Sequence, residues 1–210
     1  MKKTTILLAV LAAMVLGGCG GAEKAESPKD AAKNFAESIN EGDKEKFIGC
    51  FNAGENQQMI LGAMFESLVA AKDFYAKMDA EYGEKSTTPD MMLDPSVVDK
   101  AEVETDGDKA VLTMPGKKSL MLVKKDGYWY IDVGSVAGPV SDKDAQQAVN
   151  IFEAQVSAFR EVKPMIGEEG KSAQDVQAEL NRKMQQATMK AMGMDPGEMP
   201  EMPDVNTVVE

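Results

Sequence analysis

The chain contains no histidine in its 210 residues. That removes a histidine general base, any catalytic triad built on one, and every histidine-ligated metal site. Cysteine is almost as scarce, with Cys19 and Cys50 the two present. Aromatic residues make up 6% and include one tryptophan. Basic residues are outnumbered, 23 Lys and Arg against 35 Asp and Glu, for a formal charge of −12. Nucleic acid needs clustered Lys and Arg, so it is excluded as a partner. The chain also lacks a phosphate loop, a nucleophile elbow and paired metal carboxylates at usable spacing, so no catalytic residue and no cofactor is expected. What remains, 43% hydrophobic residues, can support a core in one domain with appendages or in two small units.

The N-terminus carries the most specific signal. Lys2 and Lys3 precede an apolar run from Ile6 to Leu16, too short to span a bilayer and suited to a signal peptide. Leu16-Gly17-Gly18-Cys19 resembles the lipobox of bacterial lipoproteins. The resemblance implies that residues 1–18 are a lipoprotein signal peptide and that Cys19 becomes a mature N-terminus, its thiol diacylated and its freed amine usually acylated too. Two or more acyl chains are what stable membrane anchoring requires. An ordinary secretory signal cleaved nearby is the alternative. A mature chain would keep 21 basic against 35 acidic residues, or −14, because residues 1–18 hold two lysines and no acids. Gly20 stands where the enterobacterial retention signal has aspartate, which leans toward the periplasmic side of an outer membrane. Residues 19–27 read as a flexible tether whose last eight residues reach at most ~30 Å.

With Cys19 lipidated, Cys50 has no partner for a disulfide. Between Gly49 and Phe51 it reads as a small buried hydrophobe, since no histidine is available to activate it.

Three helices are expected next. Ser27-Pro28-Lys29-Asp30 opens the first, Ala31, Ala32, Phe35 and Ile39 stripe it, and Gly42 ends it. A second runs from Asp43 to Phe51. The third runs from about Glu55 to Tyr82, with a wide apolar stripe suited to a main core helix. A polar linker follows, and strands are expected from near Val97.

Two Asp-Gly pairs, Asp106-Gly107 and Asp126-Gly127, each lie between β-rich runs, the strongest short-range hairpin signal. A two-residue turn at the first sets Val103 opposite Ala110 and Glu104 opposite Lys109. One at the second sets Leu122 opposite Ile131 and Val123 opposite Tyr130. Leu120, Leu122, Trp129, Ile131 and Val133 then share one face, because side chains alternate along strands. The other face holds Met121, Val123, Tyr128, Tyr130 and Asp132, and also calls for partial cover, from C-terminal helices or a second subunit.

The helix ending in Glu41-Gly42-Asp43, the run Asp106-Gly107-Asp108-Lys109-Ala110-Val111 and the later Lys125-Asp126-Gly127-Tyr128-Trp129-Tyr130-Ile131 together resemble the NTF2-like (cystatin-like α+β) superfamily. Within it they are most similar to small envelope lipoprotein domains of unknown function. The resemblance covers roughly residues 28–133. It implies an α+β fold, with N-terminal helices packed on the concave face of a curved antiparallel β-meander, often around a conical pocket. It also implies frequent dimers through the sheet. Enzymes of this superfamily place a carboxylate and a Tyr or His in the pocket. The best local pair is Tyr130 with Asp132, which would serve an isomerase or dehydratase. They sit on the face opposite Trp129, so an outer-face contact is the expected reading.

Beyond residue 140, Ser141 with Asp144 and Ser172 with Asp175 start two further amphipathic helices, the first stopped by Pro164. They predict a C-terminal helical hairpin over residues 141–192, able to cover the sheet or to bind a partner protein through an exposed apolar groove. Residues 193–210 form a Pro-rich acidic tail, expected to be disordered. In and before it stand Met189, Met192, Met194, Met199 and Met202, soft thioethers that offer an alternative function in Cu(I) binding. The expectation is a membrane-anchored, non-catalytic envelope lipoprotein that works by binding, as monomer or homodimer.

Overall fold

The computed structural model describes residues 24–83, 95–116, 119–135 and 140–194. The expected signal peptide, Cys19 and the expected tail beyond Met194 lie outside them. Among the described residues the fold is α+β: six helices with a four-stranded open antiparallel sheet.

Helix α1 (Pro28–Glu41) begins as its sequence predicts. The Ser27 hydroxyl accepts from the Asp30 N–H, Asp30 returns the contact to the Ser27 N–H, and Gly42 caps the far end. Helix α2 (Lys44–Gly49), capped by Asp43, stops two residues short of the expected Phe51. Phe51 instead pairs with Ile131 in an isolated parallel bridge. Helix α3 (Glu55–Tyr82) spans 28 residues, about 42 Å at 1.5 Å per residue.

The strand expected at Val97 is not there. Pro95–Asp99 is a helical turn, α4, with the Lys100 and Ala101 N–H groups on the Val97 and Val98 carbonyls. Proline presets the first-turn dihedral. The turn also buries Val98 and brings Asp99 within 2.6 Å of Lys33 on α1.

Strands β1 (Glu102–Asp106), β2 (Lys109–Thr113), β3 (Leu120–Lys125) and β4 (Tyr128–Ile131) follow in simple order. The second hairpin has the predicted register, with Leu122 opposite Ile131 and Val123 opposite Tyr130. Asp126 and Gly127 both take positive φ, as a type I′ turn requires. In the first hairpin the turn moves one residue on, to Gly107-Asp108, so Asp106 pairs with Lys109 and Val103 with Leu112. Gly107, at φ 58, supplies the left-handed first position, and Asp108 needs none. The partner of each residue shifts by two, an even number, so every side chain keeps its predicted face.

The apolar face of the sheet is filled. Ala110, Leu112, Leu122, Trp129 and Ile131 meet α1, α2 and the first half of α3 in one cluster that includes Phe35, Phe47, Phe51 and Phe65. Successive rings in this group stand 5.2 to 5.8 Å apart. The β4 edge is closed as well. Trp129 and Ile131 donate their N–H groups to the Ala25 and Cys50 carbonyls, both at 2.9 Å. The expected tether is therefore structured from Lys24 onward, because an edge strand's unpaired donors need acceptors. Ala25 is buried, and the Lys24 ammonium lies 4.6 Å from the Tyr128 ring centre.

Helices α5 (Asp142–Val162) and α6 (Ala173–Ala191) start on the predicted Ser141 and Ser172 caps. Pro164 does not end α5 sharply; a 3₁₀ turn at Lys163–Met165 carries the chain around. Neither helix covers the outer sheet face. α5 runs along α3 from Asn56 onward and sets Phe152 against the first cluster, and with α6 it meets the second half of α3, where Phe74, Met78, Phe159, Val162, Val176 and Leu180 form a second cluster. The reason lies in α3, whose stripe continues past the sheet and needs its own cover. Among the described residues no helix is long and apolar enough to cross a membrane.

Candidate binding groove

A wide concavity lies among helices. Two packed helices touch along a seam and leave a furrow on each flank, since cylinders meet along a line. On one flank of the α3–α5 seam, with α2 closing its end, the furrow widens to about 910 Å³. Ile48, Met59, Ala63, Val149 and Val156 make an apolar floor, and Glu55, Glu66, Glu153, Lys44 and Arg160 a charged rim. Met59 is 47% exposed, unusual for a residue in an apolar stripe.

Gly62 explains one wall. A side chain there would meet the Lys44 Cε at 3.1 Å, so its absence lets the Lys44 stem lie across α3. Lys44 then reaches Glu66 at 3.1 Å. Below, Ser67 donates to the Gln155 side chain at 2.9 Å and ties α3 to α5. A smaller furrow of about 750 Å³ runs between α5 and α6 over Ala154, Ala158, Ala187 and Ala191, and shares Glu153 and Ser157 with the first. Lys183 bridges its end by donating to Glu161 at 2.7 Å, which holds that carboxyl below its ordinary range.

The residues singled out from sequence lie elsewhere. Tyr130 and Asp132 line neither furrow. Tyr130 is half-buried on the outer sheet face, and the Asp132 carboxylate accepts the Gly134 N–H at 2.9 Å. Cys50 is buried, donates its S–H to the Lys46 carbonyl at 3.2 Å, and has its thiol pushed up to about 12 by burial. Such a thiol is a poor nucleophile. Met189, Met192 and Met194 stand at the end of α6, while Cys19, Met199 and Met202 lie outside the described residues. Among the described residues no group of three or more acidic or Cys side chains could hold a metal ion.

The groove residues Lys44, Gly62, Glu66 and Arg160 carry no sequence motif. One signal was available: a glycine inside a long helix costs up to about 1 kcal/mol against alanine, so it wants a packing reason. Comparison of the chain with protein-family models, curated proteins and solved structures found no match in any of the three.

Proposed function

We propose that this protein is a lipid-anchored, non-catalytic binding module of a bacterial envelope, an NTF2-like α+β domain extended by a C-terminal helical hairpin, whose binding surface is the α3–α5 groove. The observation that carries this reading is where open space lies. The apolar sheet face, the site of the pocket in NTF2-like enzymes, is occupied by four phenylalanines, while an apolar-floored furrow stands open on the helices. The anchor is supported by Leu16-Gly17-Gly18-Cys19. With Lys24 held on the sheet, the span from Cys19 to Lys24 reaches at most about 18 Å, so the groove works close to the bilayer.

The furrow follows α3 from Glu55 to Glu66, about three helical turns. That length and an apolar floor between charged rims suit an amphipathic helix of a partner protein, read through its i, i+3 and i+4 side chains.

A homodimer through the outer sheet face is a second reading. Val111 and Met121 are cross-strand partners there, 36% and 47% exposed. Glu102, Glu104 and Asp106 line one side of this face and Lys125 with Lys24 the other, so a two-fold axis would set acid against base.

One experiment separates these readings. A photoreactive phenylalanine analogue placed at Met59 or Met121 is activated in intact cells. Adducts from position 59 at a mass other than twice the chain's support the groove reading. Adducts confined to position 121 at twice the chain mass favour the dimer, and none from position 59 ends the groove reading. Fatty-acid labelling lost on Cys19→Ser tests the anchor.

A further inference from the structure

The C-terminal end of α6 is closed by a backbone fold-back that carries Met189, Met192 and Met194. Gly193 takes φ 76, its N–H bonds to the Lys190 carbonyl at 3.0 Å, and the Met194 N–H bonds to the Met189 carbonyl at 2.9 Å. These are the paired reverse bonds of a Schellman motif, in which the residue after the glycine returns over the third residue from the helix end. The Met194 backbone is therefore returned over the turn that carries Met189. Met192, three residues after Met189, shares its side of the helix. The motif usually packs apolar side chains together out of water. Here Met192 and Met194 remain 39% and 46% exposed, two of the five large exposed hydrophobic residues among those described.

From these observations we propose that Met189, Met192 and Met194 form a three-thioether site for a soft monovalent cation, Cu(I) or Ag(I). Thioether sulfur is a neutral, polarizable donor that favours soft cations over Zn²⁺, Mg²⁺ or Ca²⁺. Methionine side chains are long and unbranched, so three on adjacent positions can converge on one ion. The carbonyl end of a helix carries partial negative charge, which favours a cation there. Thioethers have no proton to lose, so uptake is insensitive to pH over the range in which histidine or cysteine sites fail. The site does not depend on the groove.

The test is Cu(I) titration, under reductant, of the full-length chain carrying Cys19→Ser, against a competing Cu(I) chelator, with Ag(I)-induced shifts of the methionine methyl resonances as a second readout. The expected result is uptake with shifts at Met189, Met192 and Met194. Replacing these three with leucine, an apolar residue that should leave the circular dichroism spectrum unchanged, removes every proposed donor and should abolish this uptake. Gly193→Ala, strained at φ 76, should weaken it too. The proposal is overturned by no uptake, by uptake unchanged in the triple leucine variant, or by uptake lost on Met199→Leu/Met202→Leu alone.

Discussion

The two hydrophobic clusters of this molecule are built by different rules, and α3 belongs to both. Its first half, through Leu61, Met64, Phe65 and Leu68, helps roof the sheet and on another side borders the groove with α5; its second half, through Ala71, Phe74 and Met78, packs against α5 and α6. The sheet presents a continuous apolar surface, so its cover must be continuous, and four phenylalanines with α1 and α2 supply it. The helical cluster is a set of seams. Phe74, Tyr75 and Phe159 meet at 5.4 to 6.3 Å, the α5–α6 furrow stays open beside them over alanines and charged residues, and the α3–α5 furrow opens farther along the same seam, toward the start of α3. A sheet roofed by helices closes its own pocket, whereas helices packed on helices leave concave surface for a partner.

That contrast can be broken most sharply at the two central rings. Phe47→Ala and Phe74→Ala each remove a fully buried ring and should cost ~3–5 kcal/mol. They should differ in where the loss falls. Trp129, the one tryptophan, is buried in the sheet cluster. In denaturant titrations its fluorescence should follow the loss in Phe47→Ala. In Phe74→Ala, helical circular dichroism should decay before the tryptophan signal. Coincident transitions in both variants would make the two clusters one cooperative unit. Leu180→Ala, on α6 and confined to the second cluster, should cost ~2–4 kcal/mol with the same separation of signals.

Cys50 sharpens the other side of the comparison through pH. Its folded thiol titrates near 12 against an ordinary 9.0, because burial disfavours the thiolate. The unfolded chain loses this proton first. The stability contributed is therefore whole below pH 9.0 and falls as pH rises toward about 12. In a Cys19→Ser background, Cys50→Ala should flatten that alkaline slope, measured by denaturant midpoints from pH 8 to 11. An unchanged slope would place the alkaline sensitivity in other groups. The smallest effect is expected at a cap. Ser172→Ala removes the hydroxyl that accepts from Asp175 and should lower stability by about 1 kcal/mol, seen in the helical signal before the tryptophan signal.

Local signals read from the sequence survived where a short stretch settles its own conformation. Ser27, Ser141 and Ser172 cap the helices they were expected to start, and Asp126-Gly127 sets the register of its hairpin. The failures share a cause. Asp106-Gly107 was one residue from the true turn, since Gly107-Asp108 satisfies the same backbone with glycine in the left-handed position. Val97 looked like strand until burial of Val98 against α1 favoured a helical turn. Lys24 and Ala25 looked like tether until the β4 edge needed acceptors. The groove was not legible, because Lys44 and Glu66, or Met59 and Val149, lie far apart in sequence and meet through helix packing.

By itself, then, the sequence determined the α+β composition, the helix starts, the apolar face of the sheet and the absence of histidine chemistry, because each depends on residue type and near-neighbour spacing. Only the tertiary structure decided that α5 and α6 leave the sheet for α3, that Lys24 and Ala25 belong to the fold, and that open space lies between helices. Those outcomes rest on which buried surfaces and unpaired backbone groups compete for the same cover, and that competition has no local signature.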